Sequence, residues 1–266
     1  MSAEVGPAAV VKSCCANLYS SDAVRLLVGE SFHPGGLALT RRLGDLLGLQ
    51  PGDEVLDMAS GPGTSAVELA LTDGCSVTGI ELSAASRARA EELAAAAGVK
   101  DRVRFLAGDA ECLPVAAAAF DVVICECAFC TFPGKARAAA EIYRVLRPGG
   151  RIGLSDLTRR APLPEPLRGL LAWVACVADA GTEEEYMEYL RSAGLIPGAS
   201  EDQSAALLQL AEQINTRLIT LSLASQLGRL ALPPSSWADA RAMAASAMAE
   251  IRSGNLGYSL LLATKP

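Results

Sequence analysis

The residues of this 266-residue chain that could do chemistry are its eight cysteines and a few carboxylates that follow short apolar runs. Three of the cysteines, Cys125, Cys127 and Cys130, lie in the stretch CECAFC, directly after the apolar run FDVVI. Thiolates bind soft metal ions and metalloids, but free cysteine is also among the residue types most often buried in protein cores. The first question is therefore which thiols serve chemistry and which only pack.

A zinc site and a redox site are both disfavoured for this cysteine cluster. Structural zinc takes four ligands, and Cys127 with Cys130 forms one C-x-x-C pair, with no second pair and a single histidine, His33, in the chain. A thioredoxin-like pair belongs at the start of a helix in a different fold. We expect Cys75 and Cys112 to have no chemical role, while Cys130 stays open between binding and packing.

Composition and charge narrow the choice of partners. The formal net charge is −7, so we expect neither nucleic acid nor an anionic membrane surface, because both are bound through clustered Lys and Arg. The most apolar stretches are too short to span a membrane or contain arginine, and the amino terminus lacks the pattern of a secretion signal. We therefore expect a cytoplasmic protein with reduced thiols.

The densest signal is the stretch EVLDMASGPGTSAVELA at residues 54–70. It predicts a buried strand that ends at Asp57, a turn of small residues and a helix that starts near Thr64. A turn of this kind lets a ligand approach the backbone closely. The small residues of the turn are Ala59, Ser60, Gly61 and Gly63.

Two further carboxylates follow the next strands along the chain. Glu81, followed by Leu82, closes the second predicted strand, where its carboxylate can accept both hydroxyls of a ribose. Asp109, followed by Ala110, closes the third, where it can accept from an adenine amino group. Open α/β sheets bind ligands at the carboxyl ends of their strands, so we expect these acids to share one site with Asp57.

The elements that position these residues alternate between strand and helix from Asp53 onward, which predicts a mostly parallel sheet. The pattern divides the chain into an N-terminal helical segment at 1–50 that carries Cys14 and Cys15, a core at 51–158, and helices with a closing strand at 159–266. Thr182 and Glu185 form a predicted capping box at the start of one of these helices.

The motifs LDMASGPGT, VTGIELS, GDAECLP, FDVV and EIYRVLRPGG occur in the order and spacing of the class I S-adenosylmethionine-dependent methyltransferases, which this chain resembles from about Gly52 to Leu157. The resemblance implies a Rossmann-like seven-stranded sheet, mostly parallel with the last strand antiparallel, and a helical C-terminal cap. It also implies S-adenosylmethionine as the cofactor. The implied cofactor residues are Asp57, Ala59, Ser60, Gly61, Gly63, Thr64, Glu81, Leu82, Asp109 and Ala110, with Cys125 added at the end of the fourth strand, where it also suits packing.

Within that class, the segments ECAFCTFPGKARAAAEIYRVLRPGG and EEYMEYLRSAGL resemble the arsenite methyltransferases, in which cysteines hold trivalent arsenic as the substrate. The resemblance places Cys127 and Cys176 on the metalloid, with Cys15 or Cys14 as the third ligand. It implies arsenite or its thiol conjugates as the substrate and a thiol reductant, glutathione or thioredoxin, as a partner. The predicted function is thus metalloid detoxification by arsenite methylation.

Two departures from the arsenite family keep alternatives open. The family usually has asparagine at the position of Glu126, and its upstream cysteines are usually apart, whereas Cys14 and Cys15 are adjacent. One alternative is a methyltransferase of an organic molecule, in which Glu126, Tyr19 or His33 acts near the acceptor. The others are a non-catalytic thiol protein that binds metalloid and an ordinary nucleotide-binding Rossmann fold.

Overall fold

The computed structural model describes residues 33–168, 177–226 and 234–266. Cys14, Cys15, Tyr19 and Cys176 lie outside the described residues, as does most of the predicted N-terminal segment. The proposed metalloid ligands other than Cys127 are therefore not placed by the structure, and the predicted boundaries at 50 and 158 remain predictions.

Strands and helices alternate through the first half of the described chain, as the sequence pattern predicts. The strands are β1 Glu54–Met58, β2 Ser76–Glu81, β3 Val103–Ala107, β4 Phe120–Glu126, β5 Leu146–Arg159, β6 Ile196–Asp202 and β7 Leu256–Thr264. The α-helices are α1 Gly36–Leu47, α2 Thr64–Thr72, α3 Ala84–Ala96, α4 Lys135–Val145, α5 Glu183–Ser192, α6 Ser204–Gln226 and α7 Pro234–Arg252. Short 3-10 turns span Phe129–Thr131 and Glu165–Leu167.

The seven strands of the described chain form one sheet in the order β3-β2-β1-β4-β5-β7-β6. Strands β1 to β5 pair in parallel, whereas β7 runs antiparallel to β5 on one side and to β6 on the other. This confirms the predicted Rossmann-like seven-stranded sheet with an antiparallel last strand. The order of the strands reverses between β1 and β4, and ligands of open α/β sheets bind at such a reversal.

The centre of the core is the pair β1 and β4. Val55 pairs with Val122 and Leu56 pairs with Val123, and all four side chains are fully buried. Strands that are covered on both faces read as continuous apolar runs, which explains why FDVVI shows no polar alternation after its first two residues. The strand ends are thus held on a rigid base.

Two strands differ from the sequence prediction. The pattern IPGASED does not predict β6, because Pro and Gly are unfavourable in a strand, but β6 lies mostly exposed at the sheet edge, where both are tolerated. Strand β5 begins at Leu146, before the PGG sequence rather than after it. The helix ahead of it ends at Val145, so the glycines belong to the strand.

The C-terminal helices predicted from the sequence are present. The capping box of Thr182 and Glu185 at the start of α5 is confirmed, with both reciprocal hydrogen bonds formed. Helices α6 and α7 pack against each other and against β7. The stretch EPLRGLLAWVACVADAG at residues 165–181 also predicts a helix, but residues 165–167 form a 3-10 turn and residues 177–181 a turn and an isolated bridge, while residues 169–176 lie outside the described residues. Within the described ranges, the helices are too short or too polar to cross a membrane.

Candidate active site

A cavity of about 170 Å³ opens at the carboxyl ends of β1, β2 and β4. The loop after β1, the loop after β3, the 3-10 turn after β4 and the residue His33 ahead of α1 complete its walls. Of the residues predicted to bind the cofactor, all but Gly63 and Cys125 line it. The structure thus gathers carboxylates from three strand ends into one site, as the sequence predicts.

Gly63 supports the loop from behind instead of facing the cavity. It has φ of 80°, and a Cβ at this position would lie 2.6 Å from the ring of Phe105 and 2.7 Å from Cβ of Ala90. The glycine therefore lets α2 start close against β3 and α3. Ala59, at φ of 62°, adopts the left-handed conformation without being glycine, which turns the chain sharply at the end of β1.

Asp57 is the most buried acid of the cavity, with 2% of its surface exposed. Its Oδ2 has no hydrogen-bond partner among the described residues, and the same holds for the buried Oγ of the neighbouring Ser60. Burial raises the pKa of Asp57 well above its usual range, and the negative charges of Glu126 and Glu81 raise it further. Unpaired buried oxygens are costly, so these two atoms fit a ligand that donates hydrogen bonds or carries positive charge.

Glu81 is a buried carboxylate held at the end of β2. It accepts hydrogen bonds from the backbone N–H groups of Ser83 at 2.6 Å and Gly61 at 3.0 Å. Burial raises its pKa, although these amide groups oppose the shift. Leu82 follows it at the cavity mouth, with nearly half of its surface exposed. The two amides fix the orientation of the carboxylate beside the loop that follows β1.

Asp109 lies two residues beyond the end of β3 and not at its last position. It pairs with Cys112 in an isolated antiparallel bridge, and its Oδ1 accepts from the backbone N–H of Glu111 at 2.9 Å. Asp109 and Ala110 both line the cavity. This short turn therefore presents a carboxylate and a small side chain to the same space.

In the same cavity, His33 and Glu126 approach each other around Thr40. Nε2 of His33 lies 3.7 Å from Oε2 of Glu126 and 3.3 Å from Oγ1 of Thr40, and Thr40 donates to Glu126 at 3.1 Å. Nδ1 of His33 lies 3.2 Å from the carbonyl oxygen of Pro34. The single hydroxyl hydrogen of Thr40 is donated to Glu126, so both ring nitrogens of His33 lie next to oxygens that can accept a hydrogen bond, and the ring can bind a proton at either nitrogen.

Behind Glu126, two buried hydroxyl groups continue the network into the core. Oγ of Ser155 donates to Oε1 of Glu126 at 3.5 Å. The hydroxyl of Tyr258 lies 3.1 Å from both the carbonyl oxygen and Oγ of Ser155. Burial raises the pKa of Tyr258 well above its usual range, so it stays a neutral donor. The carboxylate of Glu126 is thus oriented by hydroxyl groups from α1 and β5.

The structure separates the three cysteines of the CECAFC stretch. Cys127 is half-buried, lines the cavity and has φ of 52°, and its N–H donates to the carbonyl of Ser155 at 2.7 Å. Cys125 is fully buried and does not line the cavity, since alternate residues of a strand face opposite ways. Burial raises its pKa well above the usual range, so it stays a neutral thiol within the core. Cys130 is likewise fully buried.

The remaining described cysteines are also away from the cavity. Cys75 is buried, its thiol donates to the carbonyl of Leu69, and burial raises its pKa to about 12. Cys112 is exposed on the loop after β3. Within the described ranges, no three His, Cys, Asp or Glu side chains come together as a metal site. The predicted metalloid site is thus represented in the described chain by Cys127 alone.

The sequence pattern does not predict the hydroxyl residues that support Glu126, namely Thr40, Ser155 and Tyr258. Thr40 is fully buried on the apolar face of α1, next to Leu39 and Leu43, and a polar residue on an apolar helix face is a signal that could have identified it. Thr131 and Phe132, which also line the cavity, follow from the path of the chain after β4 and carry no such signal.

Comparison with known proteins identifies the family. The family model described as a methyltransferase domain matches residues 56–154. These residues run from β1 into β5 and include the cavity-lining acids. The chain is 36% identical over 203 residues to 27-O-demethylrifamycin SV methyltransferase of Amycolatopsis mediterranei, an alignment that covers 69% of this chain and 73% of that protein. The chain belongs to the class I S-adenosylmethionine-dependent methyltransferases, and its cofactor is S-adenosylmethionine.

The substrate is less sharply indicated than the family. The chain is 33% identical over 161 residues to an arsenite methyltransferase of Halobacterium salinarum. This alignment covers 59% of this chain and 41% of that protein. A solved structure, that of the [4+2]-cyclase SpnF, superposes with a TM-score of 0.79 at 24% identity and covers 96% of each chain. That likeness concerns the fold, which serves different reactions. Arsenite as the substrate stays a prediction.

Proposed function

We propose that this methyltransferase transfers the methyl group to a hydroxyl oxygen of an organic small molecule. The observation that carries this proposal is the pair of His33 and Glu126 at the cavity wall, with Nε2 of the imidazole 3.7 Å from Oε2 of the carboxylate. Oxygen acceptors usually need a base, because a neutral hydroxyl is a weak nucleophile. The relative from Amycolatopsis mediterranei, whose name denotes an O-demethyl natural product, supports the same substrate class.

The cofactor residues follow from the cavity. Glu81 would accept the ribose hydroxyls, Asp109 would accept from the adenine amino group, and the open backbone at Gly61 would lie against the ligand, since a Cβ there would meet no atom within 4 Å. The unpartnered Oδ2 of Asp57 and Oγ of Ser60 fit a polar, cationic ligand. When bound, S-adenosylmethionine supplies an electrophilic methyl group on a positively charged sulfur.

The charges of the cavity lining favour a positively charged sulfur. Asp57, Glu81, Asp109 and Glu126 all line the cavity, and its described lining contains no Lys or Arg. Carboxylates in a site of restricted water access stabilise a cation more strongly than they would in bulk water. The same field disfavours a phosphorylated or carboxylated acceptor, which supports a neutral hydroxyl compound.

The protein's own groups would handle the acceptor proton. The imidazole of His33 would take the proton from the acceptor hydroxyl, and the carboxylate of Glu126, 3.7 Å from Nε2, would stabilise the imidazolium that results. Thr40 donates to Glu126 and holds it toward the ring. The apolar side chain of Phe132 limits water on this side of the cavity. Positioning of the two reactants supplies much of the remaining rate enhancement.

Arsenite methylation remains a second candidate, favoured by the thiol of Cys127 in the cavity wall. Trivalent arsenic prefers thiolate ligands, and its lone pair needs no base. In this alternative Cys176 and Cys15 or Cys14, which lie outside the described residues, would complete the ligand set. A reductant such as glutathione or thioredoxin would support turnover, as the resemblance implies. The Halobacterium salinarum relative supports this candidate over a shorter alignment.

One assay with labelled cofactor separates the two candidates. The wild-type protein is incubated with hydroxyl-bearing natural products, beginning with 27-O-demethylrifamycin SV, and in parallel with arsenite and glutathione. For an oxygen acceptor, we expect His33→Gln to lower kcat by roughly 10²-fold or more, the usual contribution of a general base, and Cys127→Ser to retain activity. For arsenite, we expect Cys127→Ser to lower kcat and His33→Gln to retain activity.

Calorimetric titration with S-adenosylmethionine serves as the control for both variants. Unchanged cofactor affinity in His33→Gln, together with lost turnover, supports the role of His33 toward the acceptor. If the affinity falls instead, His33 contacts the cofactor and is not the base. Methylated arsenic with no methylated hydroxyl compound would overturn the oxygen proposal.

A further inference from the structure

Two separate segments line the cavity, and they contact each other outside its lining. One is the loop after β3 that contains Asp109 and Ala110, and the other is the end of the 3-10 turn with Thr131 and Phe132. Glu111 belongs to the first segment, and Gly134 lies two residues beyond Phe132 of the second. The contact between these two residues joins the segments outside the cavity lining.

The side chain of Glu111 is almost fully buried, with 3% exposed, although it is charged. Its Oε1 accepts from the backbone N–H of Gly134 at 2.8 Å, and its Oε2 forms an ion pair with the exposed Arg137 on α4. Its own backbone N–H donates to Oδ1 of Asp109. The same residue therefore orients the Asp109 carboxylate and holds the chain just beyond Phe132.

The contact between Gly134 and Glu111 leaves no space for a side chain at residue 134. A Cβ at this position would overlap the Glu111 carboxylate, with its Cδ only 2.7 Å away. Real Cβ atoms do not approach other atoms this closely, so any side chain at residue 134 must displace Glu111. The backbone of Gly134 is at a negative φ of −107°, so the glycine is explained by the close approach and not by its backbone angle.

Other contacts hold the same loop to α4 independently of Glu111. The N–H of Leu113 donates to Glu141 at 2.6 Å, and Arg144 donates to the carbonyl oxygens of Leu113 and Val115. These contacts anchor the far end of the loop. A change at Glu111 is therefore expected to shift the Asp109 end while the loop as a whole stays docked.

We infer that Glu111 is a positioning residue that sets the Asp109 carboxylate and the wall at Phe132 in one fixed arrangement. The inference rests on the proposed contact of Asp109 with the adenine of the cofactor. A disturbance at Gly134, on the acceptor side, is then transmitted to cofactor binding through Glu111. The reverse path gives the cofactor a means of ordering the acceptor wall.

The test is calorimetric titration of S-adenosylmethionine into the full-length protein carrying Gly134→Ala. We expect its Kd to rise by roughly fivefold or more, the lower range of coupling between distinct sites. Glu111→Ala removes the positioning side chain and should raise the Kd as well, and adding Gly134→Ala to it should raise the Kd little further, because the overlapping carboxylate is already absent. Gly198→Ala on the distant β6, where a Cβ would lie 3.3 Å from the nearest atom, is the matched control and should leave the Kd unchanged.

The outcomes are distinguishable from failure of the proposed cofactor contacts. Asp109→Asn tests the adenine contact directly, and an unchanged Kd in that variant would refute the contact whatever Gly134→Ala does. A wild-type Kd in Gly134→Ala or in Glu111→Ala would overturn the role of Glu111. If Gly134→Ala does not fold, Glu111→Gln decides, because it keeps the size and weakens the ion pair: an increased Kd supports the role and an unchanged Kd overturns it.

Discussion

At the residue scale, Asp57 lines the cavity, and the burial of its carboxyl lowers the stability of the folded protein. Its carboxyl is almost fully buried, and Oδ2 has no partner among the described residues. Because burial and the nearby acids raise its pKa, the unfolded chain releases this proton at a lower pH than the folded protein does. The folded state therefore loses stability as pH rises from the ordinary carboxyl range, near 3.9, toward the raised pKa. A bound cation would remove the penalty.

Replacing Asp57 with asparagine should stabilise the cofactor-free protein while it impairs cofactor binding. We expect Asp57→Asn to raise Tm by roughly 2–4 °C at pH 8, equivalent to about 1 kcal/mol for a chain of this size. The gain should shrink as pH falls and disappear below about pH 3, where the carboxyl is protonated in both states. Thermal unfolding at the two pH values measures this, with the exposed Asp101→Asn as the control. A lower Tm at pH 8 would show that Asp57 is satisfied in the folded state.

At the element scale, a buried hydroxyl group of α5 forms hydrogen bonds to the backbone of β5 and of the turn before the helix. The hydroxyl of Tyr186 donates to the carbonyl of Leu157 at 3.0 Å and accepts from the N–H of Gly181 at 2.8 Å. It therefore joins the start of α5 to the strand that carries Ser155. The capping box at Thr182 satisfies the first turn of the helix, and the hydroxyl is a buried link between the two elements.

Tyr186→Phe should leave both backbone groups buried without a partner. We expect the free energy of unfolding to fall by about 1–3 kcal/mol, the usual penalty for a buried group that loses its hydrogen bond. Urea denaturation gives the value, and Tyr189→Phe is a matched control because Tyr189 lies on the same helix with 36% of its surface exposed. Equal stability of the two variants would mean that water or the shifted backbone satisfies Gly181 and Leu157.

At the scale of the whole molecule, the sequence predicted what local patterns can encode. Alternating strands and helices and acids at strand ends were enough to place Asp57, Glu81 and Asp109 around one cavity. The network around Glu126 was not predictable, because Thr40 is 86 positions away and Ser155 is 29 positions away, and only the packed sheet brings them together. The edge strand β6 was missed for a related reason, since its pairing with β7 and not its own residues makes it a strand.

The acidic cavity also predicts that the protein binds S-adenosylmethionine more tightly than S-adenosylhomocysteine, the product that remains after the methyl group is transferred. S-adenosylmethionine carries a positive sulfur and S-adenosylhomocysteine does not, so Asp57 and Glu126 should favour the former electrostatically. We expect it to bind roughly tenfold more tightly at pH 8, a difference of about 1.4 kcal/mol. The ratio should shrink as pH falls, because the raised pKa of Asp57 makes it lose its charge before ordinary acids do. Glu126→Gln should weaken S-adenosylmethionine binding and leave S-adenosylhomocysteine binding unchanged. Calorimetry with both ligands checks this, and equal affinities at every pH would show that the acids do not sense the sulfur charge.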